Sequence, residues 1–185
     1  MAVVGPVVAQ GPRVSIEHPG ARDHSEFLRA VQQSRVLHHP WVAPPSTPDA
    51  FTAYLGRTRS ESNVGFLLRS EGRLVGVVNV DNIVLRAFCS AHLGYYAFRG
   101  MEGRGLMTEG VALVVGHAFD RLGLHRVEAN IQPDNSRSIA VVRRLGFVQE
   151  GFSKRYLRVN GEWRDHERWA LTIEDFRPLA RTVTA

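Results

Sequence analysis

One stretch limits what this chain can fold into more than any other: Glu102-Gly103-Arg104-Gly105-Leu106-Met107-Thr108-Glu109. A strand-like run at 91–98 precedes it, and an apolar stretch of helical length at 111–124 follows it. A strand, a short loop with glycine at alternate positions and then a helix start exposes free backbone N–H groups. The first four N–H groups of a helix have no internal partner, and the helix dipole places partial positive charge on them. Gly103 and Gly105 allow unusual dihedrals and close approach of an anion, and Arg104 adds a full charge. The stretch reads as a pyrophosphate cradle, with an ordinary tight connection as the competing reading. A nucleoside-triphosphate loop is excluded because no Gly-Lys-Ser/Thr follows. The dinucleotide fingerprint is excluded because a third glycine at the required spacing and an early strand are missing.

The flanking pattern supplies the context. Arg13-Val14-Ser15-Ile16-Glu17-His18 alternates as a first strand. Asp23 is placed to cap a helix carrying Phe27, Leu28 and Val31. A proline-broken link follows, and Thr47-Pro48-Asp49 opens a second helix. Residues 64–69 and 73–80 around Ser70-Glu71-Gly72 make a hairpin, with a bend at Asp81-Asn82. Residues 91–98 form a fourth strand and 126–131 a fifth. A helix is expected over 136–145, and Asn160-Gly161 marks a last hairpin. The expected fold is mixed α/β (α+β), with a largely antiparallel sheet of six to seven strands flanked by about four helices.

A length of 185 residues suits one domain, here 13–177, between an N-terminal tail at 1–12 and a C-terminal tail at 178–185. The apolar opening lacks a basic n-region and is broken by Gly5-Pro6, which favours a loose tail over a signal peptide. No run approaches the ~20 apolar residues that span a bilayer, so no membrane partner is expected and the default location is cytoplasmic. The single cysteine, Cys89, excludes an internal disulfide and a multi-cysteine metal site, and no metal is expected. The net charge of +5 comes almost wholly from arginine, 22 of 23 basic residues, and suits an anionic ligand. These arginines are scattered rather than clustered with aromatics, so direct nucleic-acid binding is not expected.

Together the motifs resemble the GNAT superfamily of N-acetyltransferases, in its ribosomal-protein-alanine (RimJ/RimL-type) branch. The resemblance rests on Gly94-Tyr95-Tyr96, the loop from Glu102 to Glu109, and Leu124-His125-Arg126-Val127-Glu128-Ala129. It continues in Pro133-Asp134-Asn135-Ser136-Arg137-Ser138, Leu145-Gly146-Phe147 and Glu150-Gly151, covering about 64–173. The family pattern has Gln or Arg where Glu102 stands and Gly or Ala where Met107 stands. These departures predict that Glu102 contributes backbone only and that Met107 faces the core.

The resemblance implies acetyl-CoA as donor, held where the fourth and fifth strands splay into a V. Backbone of Tyr95, Tyr96 and Ala97 would pair with the pantetheine as a pseudo-strand does. The pyrophosphate would sit on N–H groups of Gly103, Arg104, Gly105, Leu106, Met107 and Thr108. Asn135 and Ser138 stand where the family contacts the pantetheine or thioester end. Many relatives place a tyrosine four residues before the Gly-Phe pair to assist thiolate departure; Val142 is there instead, which leaves Ser138 as the substitute donor. Glu128 is the candidate base, with a structural ion pair as its alternative, and Asp165 and His166 are weaker candidates. His38 and Trp41 are the candidate acceptor-binding residues, Trp41 alternatively plugging the helices onto the sheet, while Trp163 and Trp169 read as structural. The expected acceptor is a primary amine, foremost a protein N-terminus, acted on by a monomer or homodimer. The alternatives are a small-molecule amine acceptor, or a non-catalytic acyl-CoA-binding module.

Overall fold

A computed structural model describes residues 6–178. Among these, nine strands form one sheet: β1 (Val7–Gln10), β2 (Ser15–Glu17), β3 (Arg59–Ser60), β4 (Asn63–Ser70), β5 (Arg73–Val84), β6 (Ser90–Ala97), β7 (Arg126–Ile131), β8 (Val148–Val159) and β9 (Glu162–Thr172). The helices are α1 (His24–Gln33), the single turn α2 (Arg35–His38), α3 (Pro48–Arg57), α4 (Leu106–Asp120) and α5 (Ser136–Arg144). The sheet runs β1-β2-β4-β5-β6-β7-β9-β8, with β3 alone on β4. Every pairing is antiparallel except β6 with β7. The mixed, mostly antiparallel architecture read from the sequence is therefore present, with two short strands added at one side.

β1 corrects the expectation of a loose tail at 1–12: Val7 to Gln10 pair with β2, half-buried at Val8 and Ala9. A short apolar run gains nothing alone but closes the edge of β2 once that strand exists. The C-terminal tail lies almost entirely outside the described residues. Asp23 is a second correction. It does not cap α1 through its side chain but accepts from Gly20 N–H (2.7 Å) and from Arg69 Nη2 (2.9 Å). Arg69 is buried on β4 and also binds Glu17 of β2 and Glu26 of α1, so one guanidinium rivets two strands and a helix. Thr47 behaves as the sequence indicates, its hydroxyl accepting from Ala50 N–H (3.2 Å) with Pro48 opening α3.

Two apolar clusters sandwich the sheet. α1 and α3 place Phe27, Phe51 and Tyr54 on Leu67, Val77, Tyr96 and Phe98. Phe27 and Phe51 are essentially sealed, worth about 1.5–3 kcal/mol each in burial. The other face carries α4 and α5 over Leu68, Val78, Val80 and Leu93. α4 is buried along most of its length and lies close on β4: a Cβ at Gly110 would sit 2.3 Å from Leu68 Cδ1. That contact fixes where the helix begins, and so where the glycine loop stands. Trp169 is buried, with Arg143 over its ring, whereas Trp163, expected to be structural, is 61% exposed on the β8–β9 arm.

Candidate active site

The site begins where the sheet fails to close. β6 and β7 share only three residue pairs, Ser90 with Arg126, Ala91 with Val127 and His92 with Glu128. Beyond them β6 stays on β5 and β7 on β9, so the two strands diverge. This is the V expected between the fourth and fifth predicted strands. Phe98 N–H donates to Val75 C=O (2.8 Å), which sets the alternation along β6. Gly94 and Tyr96 turn their main-chain groups to β5, while Tyr95 and Ala97 turn theirs to the open side. The pseudo-strand edge is thus narrower than residues 95–97, because the Tyr96 backbone is already used. The Ala97 carbonyl is used as well, accepting from His38 Nε2 at 2.9 Å.

The glycine loop stands at one end of a cleft of about 1060 Å³. Gly103 and Gly105 have φ of +74° and +76°, a region closed to most side-chain-bearing residues. Gly105 is the N-cap of α4 and supplies no side chain, and the first helical bond is Glu109 N–H to Gly105 C=O (3.1 Å). The N–H groups of Leu106, Met107 and Thr108 precede that bond and are left for an external acceptor. Leu106 and Met107 point their side chains into the core, as the departure from glycine at 107 requires. Glu102 differs from expectation. Its side chain lines the cleft, and its Oε2 is buried without a partner among the described residues.

Sequence reasoning missed the cation over this loop. Arg104 lays its guanidinium near Met101 Sδ (4.0 Å), outside the residues lining the cleft. Arg13 takes the position instead, donating from Nη1 to Arg104 C=O (3.1 Å) and from Nε to Glu109 Oε2 (3.0 Å). Glu109 also accepts the main-chain N–H groups of Arg13 (2.6 Å) and Val14 (2.9 Å). A second cavity of about 590 Å³ opens behind the loop, with Arg13 and Arg144 in its walls. A bond between residues 13 and 109 has no local signal.

Opposite the β6 edge, Asn135 caps α5, its Oδ1 accepting from Ser138 N–H (3.2 Å). Ser138 Oγ donates to the Tyr95 phenol oxygen and Tyr95 OH donates to Ser138 C=O, both at 2.8 Å. Val142 is fully buried and carries no hydroxyl, and the phenol that meets α5 is that of Tyr95 on β6. Burial, the larger effect, pushes the Tyr95 phenol above its ordinary range, against a smaller lowering by Ser138, so it stays protonated at neutral pH. Ser138, Asn135, Tyr95, Ala97, Gly103, Gly105, Met107 and Thr108 all line the one cleft. Glu128 does not: it pairs with Arg126 Nε (2.8 Å), whose guanidinium also holds Glu150, at the closed end of the V. Asp165 is occupied by Arg155 N–H (2.7 Å).

The side of the cleft expected to take the acceptor is formed by α2 and the link after it. His38 and Trp41 both line the cleft, as do His39 and, from β9, His166. His38 is 4% exposed and packs edge-on against Tyr96 and Phe98. Trp41 is half-buried, its carbonyl accepting from Gln132 Nε2 (3.4 Å).

The acetyltransferase (GNAT) domain family matches residues 13–148. A probable N-acetyltransferase of Bacillus subtilis (strain 168) is 38% identical over 115 residues, covering 62% of this chain and 64% of the relative. The [ribosomal protein uS5]-alanine N-acetyltransferase of Escherichia coli (strain K12) is 39% identical over 108 residues, covering 58% of this chain and 56% of that protein. The matches thus span less than two thirds of these relatives. The solved structure of Mycobacterium smegmatis RimJ in complex with CoA-disulfide superposes with a TM-score of 0.81 at 30% identity, covering 87% of this chain and 82% of that one. The chain belongs to the acetyltransferase (GNAT) domain family.

Proposed function

We propose that this protein transfers acetyl from acetyl-CoA directly to a primary amine, and that the amine is a protein N-terminus. The observation that carries the donor half is the open edge of β6 leading to three unpaired N–H groups at the start of α4. The pantetheine fits that edge as a strand does, meeting the N–H and C=O of Tyr95 and the N–H of Ala97. The pyrophosphate fits the N–H groups of Leu106, Met107 and Thr108 across the bare Gly103 and Gly105, with Arg13 adding charge. That Mycobacterium smegmatis RimJ is a complex with CoA-disulfide supports this reading.

The chemistry is attack by the neutral amine nitrogen on the thioester carbonyl. A main-chain N–H on the free side of β6 stabilises the oxygen as it gains charge. The Tyr95–Ser138 pair is proposed as the donor to the departing thiolate, one hydroxyl turning its O–H from its resting partner toward the sulfur. The protein-terminus reading is supported by the name of the Escherichia coli relative and by the charge of the cleft. Arg99, Arg137 and Arg144 line it against only Glu102 and Asp134, which disfavours a polycation such as a polyamine.

The test is acetyl-CoA-dependent thiol release with N-terminal peptides, polyamines and amino acids as acceptors. Turnover greatest on N-terminal peptides is the expected result. Preference for a polyamine would replace the acceptor assignment, and acetyl-CoA binding without turnover on any amine would overturn the transferase reading.

A further inference from the structure

A carbonyl can only accept, so the contact between His38 and Ala97 C=O requires the proton of the neutral imidazole to be on Nε2. That leaves Nδ1 with a free lone pair. Nδ1 is buried and has no hydrogen-bond partner among the described residues, although the ring forms part of the cleft wall. A buried acceptor without a donor is uncommon in a folded protein, and a catalytic role is one of the few reasons to keep one. The ring is also fixed in place, since Nε2 is anchored on Ala97 and the ring packs edge-on against Tyr96 and Phe98. Ala97 is the residue whose own N–H faces the open side of β6, so the imidazole is attached beside the edge assigned to the pantetheine that carries the thioester.

We propose that His38 is the base of the transfer, its Nδ1 taking the proton from the attacking amine. The proposal rests on the transferase reading above and names the group that Glu128, locked on Arg126, cannot be. The amine nitrogen bonds to the carbonyl carbon and one of its protons passes to Nδ1. The C–S bond breaks with its electron pair on sulfur, and the proton reaches the thiolate from the imidazolium through solvent. Burial lowers the ring's affinity for a proton, against a smaller opposing effect of the Ala97 carbonyl, so the ring is neutral and able to accept at neutral pH. The titratable or charged groups sharing this side of the cleft are His39 on the same link, Tyr96 on β6, Arg99 and Glu102 beyond it, and His166 on β9. Asp134, Arg137 and Arg144 face it from the α5 side, and α1 contributes the uncharged Gln33.

The experiment is the pH profile of kcat/KM for an N-terminal peptide amine, in wild type and in His38→Gln. Glutamine places an N–H donor where Nε2 stands, so it keeps the Ala97 bond and removes the base. Below the amine pKa of about 8, log kcat/KM rises with unit slope from amine ionisation alone. In wild type a second proton must be lost at His38, so the slope steepens to two in the acid range. His38→Gln should lose about 100-fold in kcat/KM, return to unit slope and bind acetyl-CoA as wild type does. Unchanged kcat/KM, a persisting slope of two, or an equal loss of acetyl-CoA affinity would each overturn the proposal. His39→Gln and His166→Gln guard against a variant that does not fold. Both should keep the steep limb, and its disappearance in either would assign it to that ring and refute His38. A wild-type profile of unit slope refutes His38 alone, whereas no amine-dependent turnover in wild type refutes the transferase reading and His38 with it.

Discussion

Glu109 is a carboxylate buried one turn into α4, and its replacement separates folding from ligand binding. In Glu109→Ala, the buried Val14 N–H and the partly buried Arg13 N–H lose their acceptor. A buried donor left unpaired costs about 1–3 kcal/mol, and the partly buried one about half as much. The Arg13 side chain is 55% exposed, so losing that ion pair adds under about 1 kcal/mol. The total is about 1.5–5.5 kcal/mol, a fall in Tm of about 3–20 °C for a domain of this size. Glu109→Gln keeps an oxygen for both N–H groups, and its NH2 faces the Arg13 Nε–H donor and turns that exposed guanidinium out to solvent, so it should cost under about 1 kcal/mol. Both variants release the guanidinium from the loop, and both should weaken acetyl-CoA binding roughly fivefold, the equivalent of about 1 kcal/mol. Urea denaturation and calorimetric titration read the two effects separately. A glutamine variant as unstable as the alanine one, or an alanine variant of wild-type stability, would refute this account of Glu109.

Gly105→Asp adds a side chain at φ +76° and a negative charge on the pyrophosphate path, so acetyl-CoA affinity should fall at least tenfold, about 1.4 kcal/mol; unchanged affinity by titration would exclude the cradle. Arg69→Met leaves Glu17 and Asp23 buried without their main cation and should cost about 3–5 kcal/mol by urea denaturation, against under about 1 kcal/mol for Glu26→Ala at the exposed end; equal costs would argue against the rivet. His117 is held neutral mainly by burial, with its pKa below the usual value near 6.5. The unfolded chain therefore binds the extra proton first, and the contribution of His117 to stability falls as pH drops through that value. The difference in urea midpoint between pH 7 and pH 5 should shrink in His117→Gln, and an undiminished difference would show that this ring does not contribute.

What the sequence made legible was local. The glycine loop, the Thr47-Pro48 start and the turns at Glu71-Gly72 and Asn160-Gly161 are each encoded within a few adjacent residues, and each is present. The parts missed depend on residues distant in the chain. Arg13 reaches the loop only because Glu109 accepts its backbone, and Tyr95 meets Ser138 only because β6 faces α5 across the V. Alternation along β7 put Glu128 on the opposite side from Val127 and Ala129, but could not show that Arg126, two residues away, would claim it. β1 was missed because three apolar residues and a glutamine become a strand only after β2 and β4 have formed.

The three-pair seam between β6 and β7 divides the sheet into two leaves that touch only at their base. An acyl-CoA lying in the gap would act as an intercalated strand, converting two partial sheets into one continuous hydrogen-bonded surface. The amides of Tyr95 and Ala97, solvent-facing in the free protein, would then exchange hydrogen as slowly as those in the middle of a sheet. Their exchange rates therefore provide an occupancy gauge built into the backbone, readable without substrate turnover or any added label.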